Sequence, residues 1–485
     1  MIISSMQMFL KTVQVLGLLS WDFFIPIVGL ILFLIYEGKK PKRAKSAGKG
    51  ALIGFITKIV LSIILVILYV VFTASLISNT SDVIESNIPA IGDVFREETT
   101  DEILEKYELN IDELLILIVS FTVFLPFYFL VFSFNALFFY LLVSGKIIPV
   151  IKETPYVKNI LAFLSLTIFI SILKHNLYGI GVSIILFEFS MFFMYYRMII
   201  NRKLFSMIIN LYMIVSIFCF ILTIFSVLYS KFSMNLKMYE FIEYMALHRP
   251  ISSFFNTNYY ATICEFIIII AMYYFLSNKN RNNRLYFLCV STLAFIVLFL
   301  TENRTALPTI LIATLVLSFT KNNKKVFTFL GIFTIVIVIL MIFSNRIFPR
   351  YEFIGNSLGT RKEIWENAIK LFKKTFLFGS GPMAYQNASW VSHPANHAHN
   401  IVLDLLINFG IVGNIIIFPL FIGIFKKVYS IRKRNLFRLI IALTVVVILH
   451  GMLDVTILWH QTAYIYFSVL LAVGKVSNFE SKFIF

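Results

Sequence analysis

The sequence predicts an all-α polytopic membrane protein, with about 12 to 13 transmembrane helices and one large extracytoplasmic loop that carries an amphipathic helix. Three observations predict this. Hydrophobic residues fill 59% and charged residues 14% of 485 positions, more apolar surface than one soluble core can bury. Apolar runs of the roughly 20 residues that cross about 30 Å of hydrocarbon recur from near Val13 to near Val473. Runs such as ILVILYVVF and IIFPLFIGIF are apolar on every side. A barrel strand would alternate, so helices are the spanning unit.

Taken in order, the runs place helices near residues 13–36, 52–78, 113–143, 159–173, 177–196, 204–229, 259–276, 285–301, 306–320, 326–344, 400–425, 439–449 and 462–474. The first is read as retained, because no small-residue cleavage site follows it. EGKKPKRAKSAGKG and KKVYSIRKRNLFR are dense in Lys and Arg and belong on the cytoplasmic side. Alternation from there puts RMIINRK, SNKNRNNR and KNNKK inside, and the acidic stretch Ser81 to Glu113 outside. The net charge of +17 is scattered through short loops rather than gathered into a stripe. It reads as membrane orientation, and no nucleic-acid partner is expected. Cys219, Cys264 and Cys289 lie in apolar segments without pairing or metal spacing.

Two domains are expected, an N-terminal set of transmembrane helices at 1–229 and a C-terminal region at 230–485. Outer segments at about 230–258 and 345–398 are too long for plain connectors. In the second, Thr360 and Glu363 form a T-x-x-E capping box that opens a helix, TRKEIWENAIKLFKK. Ile364, Trp365, Ala368, Ile369, Leu371 and Phe372 make its apolar face. Gly379, Gly381 and Pro382 then break it.

His393, His397 and His399 crowd the end of that loop, in SHPANHAHN. A metal site, a general base and a polar helix cap are three readings of them. No Cys, Asp or Glu accompanies the cluster in sequence, and the i, i+2 spacing does not suit one helical face, so no metal is expected. A general base is favoured, since imidazole titrates near neutrality and takes a hydroxyl proton without a cofactor. Glu302, Asp404, Asp454 and His460 fall at outer helix ends, as caps or as groups that orient a base or acceptor. Glu188 and Glu265 sit within apolar segments and receive no role.

His399-Asn400, nine residues, Gly410, two residues and Gly413 reproduce an H-N-x9-G-x2-G pattern that resembles the O-antigen ligase and O-antigen (Wzy-type) polymerase superfamily. Arg361-x3-Trp365, Gly379-Ser380-Gly381 and Asn303-Arg304-Thr305 resemble further elements of that superfamily. Arg249, followed by F-x-N-T-N, resembles another, with Pro250 and Ser252 as departures. The likeness covers about Arg249 to Gln461.

The resemblance implies a multi-pass enzyme of the bacterial inner or plasma membrane, with its active site on the extracytoplasmic face. Its donor would be an undecaprenyl-pyrophosphate-linked glycan and its acceptor a sugar hydroxyl, with the bilayer and other polysaccharide-assembly proteins as partners and no cofactor. His399 would be the base. Arg304, Arg361 and Arg249 would hold the pyrophosphate through guanidinium forks, with Arg361 in the first turn of its helix, where backbone N–H groups also attract an anion. Asn400, His397, Gly410 and Gly413 would support or orient the acceptor, the glycines by letting a neighbouring helix or the lipid donor come close. Polymerisation of repeat units is the leading activity and ligation to a different terminal acceptor the alternative. A flippase or transporter, the reading from another class, would place charge and helix breaks at the bilayer midplane.

Overall fold

The computed structural model describes residues 109–319 and 354–476, except 236, 238, 239, 241–243, 245–247, 279, 304, 389 and 392–394. The expected helices near 13–36, 52–78 and 326–344 lie outside the described residues. The chain divides into two units, Met1–Glu102 and Ile103–Phe485, and everything described belongs to the second.

Among the described residues the structure is all-α. Its helices are α1 Ile111–Thr122, α2 Phe127–Val143, α3 Ile147–Glu153, α4 Val157–Leu173, α5 Leu177–Ile199, α6 Arg202–Ser233, α7 Thr257–Ser277, α8 Arg281–Leu300, α9 Ala306–Phe319, α10 Ile354–Thr375, α11 Ala384–Asn387, α12 Ile401–Ser430, α13 Asn435–Gly451 and α14 His460–Leu471. Five of them, α5, α6, α7, α8 and α12, are long and apolar enough to cross a membrane. The bent pair α2–α3, turned by 98°, brings that to six. The chain is thus a polytopic membrane protein. Phe218, Phe225 and Phe232 on α6 and Ile415, Phe418 and Phe425 on α12 are all exposed, as side chains facing lipid rather than water should be.

Asparagine starts six of these fourteen helices. Asn110, Asn176, Asn201, Asn256, Asn280 and Asn400 each accept a backbone N–H from the first turn, a cap worth about 1 kcal/mol. Two elements differ from expectation. The run 113–143 is two helices, because Pro126 cannot continue α1 and becomes the residue before α2. The amphipathic helix begins at Ile354 rather than at Thr360. No proline stands between Ile354 and Thr360, and a glycine costs only about 1 kcal/mol inside a helix. Arg361 is therefore mid-helix, and the helix-terminus argument for its anion affinity does not hold. Ile364, Ala368 and Leu371 are buried against Leu403 and Ile407 of α12, while Ile369 points outward.

α7 is the centre of the bundle, buried nearly all round and packed on α8, α9, α13 and α14. It begins beside the α8–α9 and α13–α14 turns. That end of the bundle gathers the polar side chains of Asn258, Asn303 and Asp454.

Candidate active site

The site starts at the entry to α12. Asn400 accepts N–H groups from Val402 and Leu403 through Oδ1, and its Nδ2 donates to the Met452 carbonyl at 3.0 Å. One side chain thus caps the helix and ties it to the α13–α14 turn. His399, just before it, has φ +49. A non-glycine residue in the left-handed region costs of order 1 kcal/mol and persists where its surroundings hold it. Here its N–H donates to His397 Nδ1 at 3.2 Å, and the two rings sit 4.1 Å apart.

Both histidines face Asp454, brought in from the α13–α14 turn. His399 Nδ1 lies 3.7 Å and His397 Nε2 3.9 Å from Asp454 Oδ1. That oxygen also accepts the Val455 N–H at 2.8 Å, and Oδ2 accepts Asn258 Nδ2 at 2.6 Å. Burial would raise the Asp454 carboxyl, but His399, His397 and His450 around it outweigh that and hold it well below the usual carboxylate range. Burial, then the neighbouring His399, push His397 down to about 4 against the pull of Asp454. A neutral His397 that accepts at Nδ1 carries its proton on Nε2, toward the carboxylate. His399 is more open, with 27% of its side chain exposed. Its Nδ1 has no hydrogen-bond partner. A small closure toward Asp454 would place a proton on Nδ1 and leave Nε2 as a base, since such bonds are often long before substrate binds.

Asp404, in the first turn of α12, accepts the Ala398 N–H at 2.9 Å and leaves Oδ2 unpartnered beneath the histidines. Arg361 is half-buried. Burial lowers its guanidinium and the Asp454 charge opposes that, so α10 presents it to the same carboxylate. Arg249 donates from Nε to the Thr301 carbonyl at 2.5 Å and from Nη2 to Asn258 Oδ1 at 3.0 Å. Asn258 in turn receives Asn303 Nδ2 at 3.2 Å. Arg304 lies outside the described residues; its neighbours Asn303 and Thr305 form the cap of α9.

The two signature glycines have separate neighbours. α12 is broken at Gly410 (φ 61°, ψ −171°). The segment 376–381 crosses the break, giving the Ser380 and Gly381 N–H groups to the Ile407 and Asn408 carbonyls at 2.9 Å and taking those of Ile411 and Val412 at 2.8 Å. Asn414 Nδ2 donates to the Leu405 and Gly410 carbonyls. Irregular backbone at membrane depth persists only when its groups are paired in this way. A Cβ on Gly410 would lie 2.5 Å from Gly379 N and Leu377 O, so it is loop backbone that comes close there. Gly413 faces Phe163 and Leu166 of α4. Asn176, the α5 cap, donates to the Ser380 and Pro382 carbonyls and fixes the loop from the N-terminal side.

Residues 289–418 match the O-antigen ligase family. No curated protein matches the chain. The O-antigen ligase segment holds Asn303, Arg304, Arg361, His397, His399, Asn400, Gly410 and Gly413. It supports a ligase-like role in polysaccharide assembly, of glycosyl-transfer type. Beyond that segment the structure adds Asn258, Arg249 and Asp454, each bonded into its polar network.

The sequence places Asp454 at an outer helix end without singling it out, because the groups around it come from far along the chain: Asn258 from α7, Arg361 from α10, and His397 and His399 from the approach to α12. His460 is not brought in; its ring sits against Trp459 and Phe189. His397, His399 and Asp454 do offer three potential metal-ligand atoms within 4.8 Å of one another, so an acidic group does accompany the histidines. The Nδ1 bond of His397 keeps a proton on the very nitrogen that a metal would need, which fits a proton-handling site better.

Proposed function

We propose that the protein is a membrane glycosyltransferase that polymerises undecaprenyl-pyrophosphate-linked repeat units into a surface polysaccharide. The observation that carries this reading is the approach of His399 and His397 to the buried Asp454, beside Arg361 and Arg249. The region 230–485 supplies the chemistry. His399 takes the proton of an acceptor hydroxyl as that oxygen attacks the anomeric carbon, with Asp454 stabilising the imidazolium. The bond to pyrophosphate breaks on the opposite face, and the configuration inverts. Guanidinium forks of Arg304, Arg361 and Arg249 meet the charge that gathers on the departing undecaprenyl pyrophosphate. The scheme uses no metal and no cofactor. The description of the matched family favours a second reading, in which the same donor and base serve a terminal acceptor other than a second repeat unit.

Transfer by purified protein in liposomes, from a lipid-linked oligosaccharide supplied on the accessible face, tests the proposal without any translocation step. His399→Ala and His399→Gln should lose about 10²- to 10⁴-fold in turnover, while His397→Ala keeps partial activity. Arg361→Lys, which retains charge but not the fork, should lose about 10- to 1000-fold. A His399→Ala protein that transfers at the normal rate overturns the mechanism. Inhibition of the wild type by a chelator would instead support a metal at the three ligand atoms.

A further inference from the structure

Below the site, inside the bundle, His450 of α13 and Glu265 of α7 form a fully buried pair, with His450 Nδ1 2.6 Å from Glu265 Oε2. Neither is hydrogen-bonded to His397 or His399. The pair's other end does reach the site: His450 Nε2 lies 3.4 Å from Asn303 Nδ2. Thr262 Oγ1, 3.4 Å from His450 Nδ1, already donates to the Asn258 carbonyl at 3.1 Å. A buried pair of this kind is a poor device for stability, since desolvation offsets its attraction. What it sets is hydrogen-bond polarity.

Asn303 Oδ1 accepts the Thr305 N–H, the Thr305 hydroxyl and the Ala306 N–H at the start of α9, at 2.7 to 3.2 Å. Its Nδ2 must therefore face the other way and donate, to Asn258 Oδ1 at 3.2 Å and to His450 Nε2. His450 can accept there only if its proton sits on Nδ1, and Glu265 Oε2 is the acceptor that keeps it there. Asn258, whose Oδ1 takes Asn303 and Arg249, is left with Nδ2 aimed at Asp454 Oδ2. Without the Glu265 acceptor His450 moves its proton to Nε2, two donors meet at Asn303, and Asn303 Nδ2 is pushed away from Asn258 Oδ1. Arg249 alone then holds the Asn258 amide, and its grip on Asp454 Oδ2 loosens.

We propose that Glu265 and His450 are a positioning pair that acts through the amides of Asn303 and Asn258 to hold Asp454 where it can orient His399. The inference rests on the transferase reading above for the meaning of turnover.

It is tested in the liposome assay with Glu265→Leu, Glu265→Gln and Asn303→Ala. Glu265→Leu should lower kcat by about 10- to 30-fold, the size that indirect coupling supports, with KM within about twofold of the wild type. Glu265→Gln, which still offers an oxygen to Nδ1–H, should stay within about threefold. In an Asn303→Ala background the Leu and Gln variants should be alike, because the relay is already cut; equal effects of Glu265→Leu in both backgrounds would mean ordinary packing and overturn the proposal. A readout on the unaltered protein does not depend on any variant folding. Its ¹⁵N resonances for His450, assigned by their loss in His450→Phe, should show a protonated Nδ1 and a bare Nε2, and the opposite tautomer overturns the proposal. The two ideas fail separately. Normal transfer by His399→Ala sinks the transferase mechanism, whereas an inactive His399→Ala beside a fully active Glu265→Leu sinks the positioning pair alone.

Discussion

At the scale of single residues, the site's protonation pattern follows from burial and from the carboxylate the two histidines share. His397 is held neutral down to about pH 4, below the ordinary value of about 6.5 that it regains on unfolding. A folded value below the unfolded one contributes stability that is fully present above about pH 6.5 and is lost as pH falls toward 4. The full difference is of order 3 kcal/mol, since each unit is about 1.4 kcal/mol. Thermal unfolding of detergent-solubilised protein at pH 7.5 and pH 5 should therefore show a larger loss in the wild type than in His397→Gln, which has nothing to titrate there. Equal losses would mean that His397 is charged or exposed in solution. His399 and Asn400 were legible in the sequence because cap and base are chain neighbours at the mouth of one helix. Asp454 and Asn258 were not, since nothing local ties residues so far apart; only the packing of α7, α12 and α13 makes them one group.

At the scale of elements, the broken helix α12 explains why glycine stands where it does. Gly410→Ala would place a methyl in a left-handed residue against the 377–379 backbone, which has no flexible end to swing aside. Strain and overpacking together should cost about 3 kcal/mol or more and detach the loop from the base. Gly359, inside α10 with open space around it and no unusual backbone, is the control: Gly359→Ala should stabilise by about 0.5 to 1 kcal/mol. A Gly410→Ala protein that melts with the wild type in a thermal shift measurement would show that the crossing is not rigid. The pair Gly410 and Gly413 was readable as a pattern, and the breaking residues Gly379 and Gly381 as a turn. That the two segments pair with each other was not, because long-range backbone pairing leaves no periodicity behind. The false start at Thr360 has a local cause, since a capping box fits many positions within a longer helix and only the absence of a stop before it tells them apart.

At the scale of the whole molecule, chain direction and charge together argue for which side the site faces. α7 leaves the site at Asn258 and ends at Ser277; α8 begins with the basic Arg281 and Arg284 and returns to Thr301 and Asn303. α12 leaves at His399 and ends beside Lys426, Lys427, Arg432, Lys433 and Arg434, and α13 returns to His450 and Asp454. In both excursions the site lies at one end of the helices and these loop-proximal arginines and lysines at the other. Positive charge in short loops stays on the cytoplasmic side, because moving it across the bilayer is costly. On this charge argument we propose that the site opens outward, where a lipid carrier already flipped would present its glycan. In a background without Cys219, Cys264 and Cys289, a cysteine introduced by Asn387→Cys, beside the site on α11, should react with an impermeant maleimide on intact cells. One introduced by Asn282→Cys or Lys433→Cys should react only after permeabilisation. The reverse pattern would turn the molecule over and put its arginines and histidines in the cytoplasm, where the proposed donor presents no glycan.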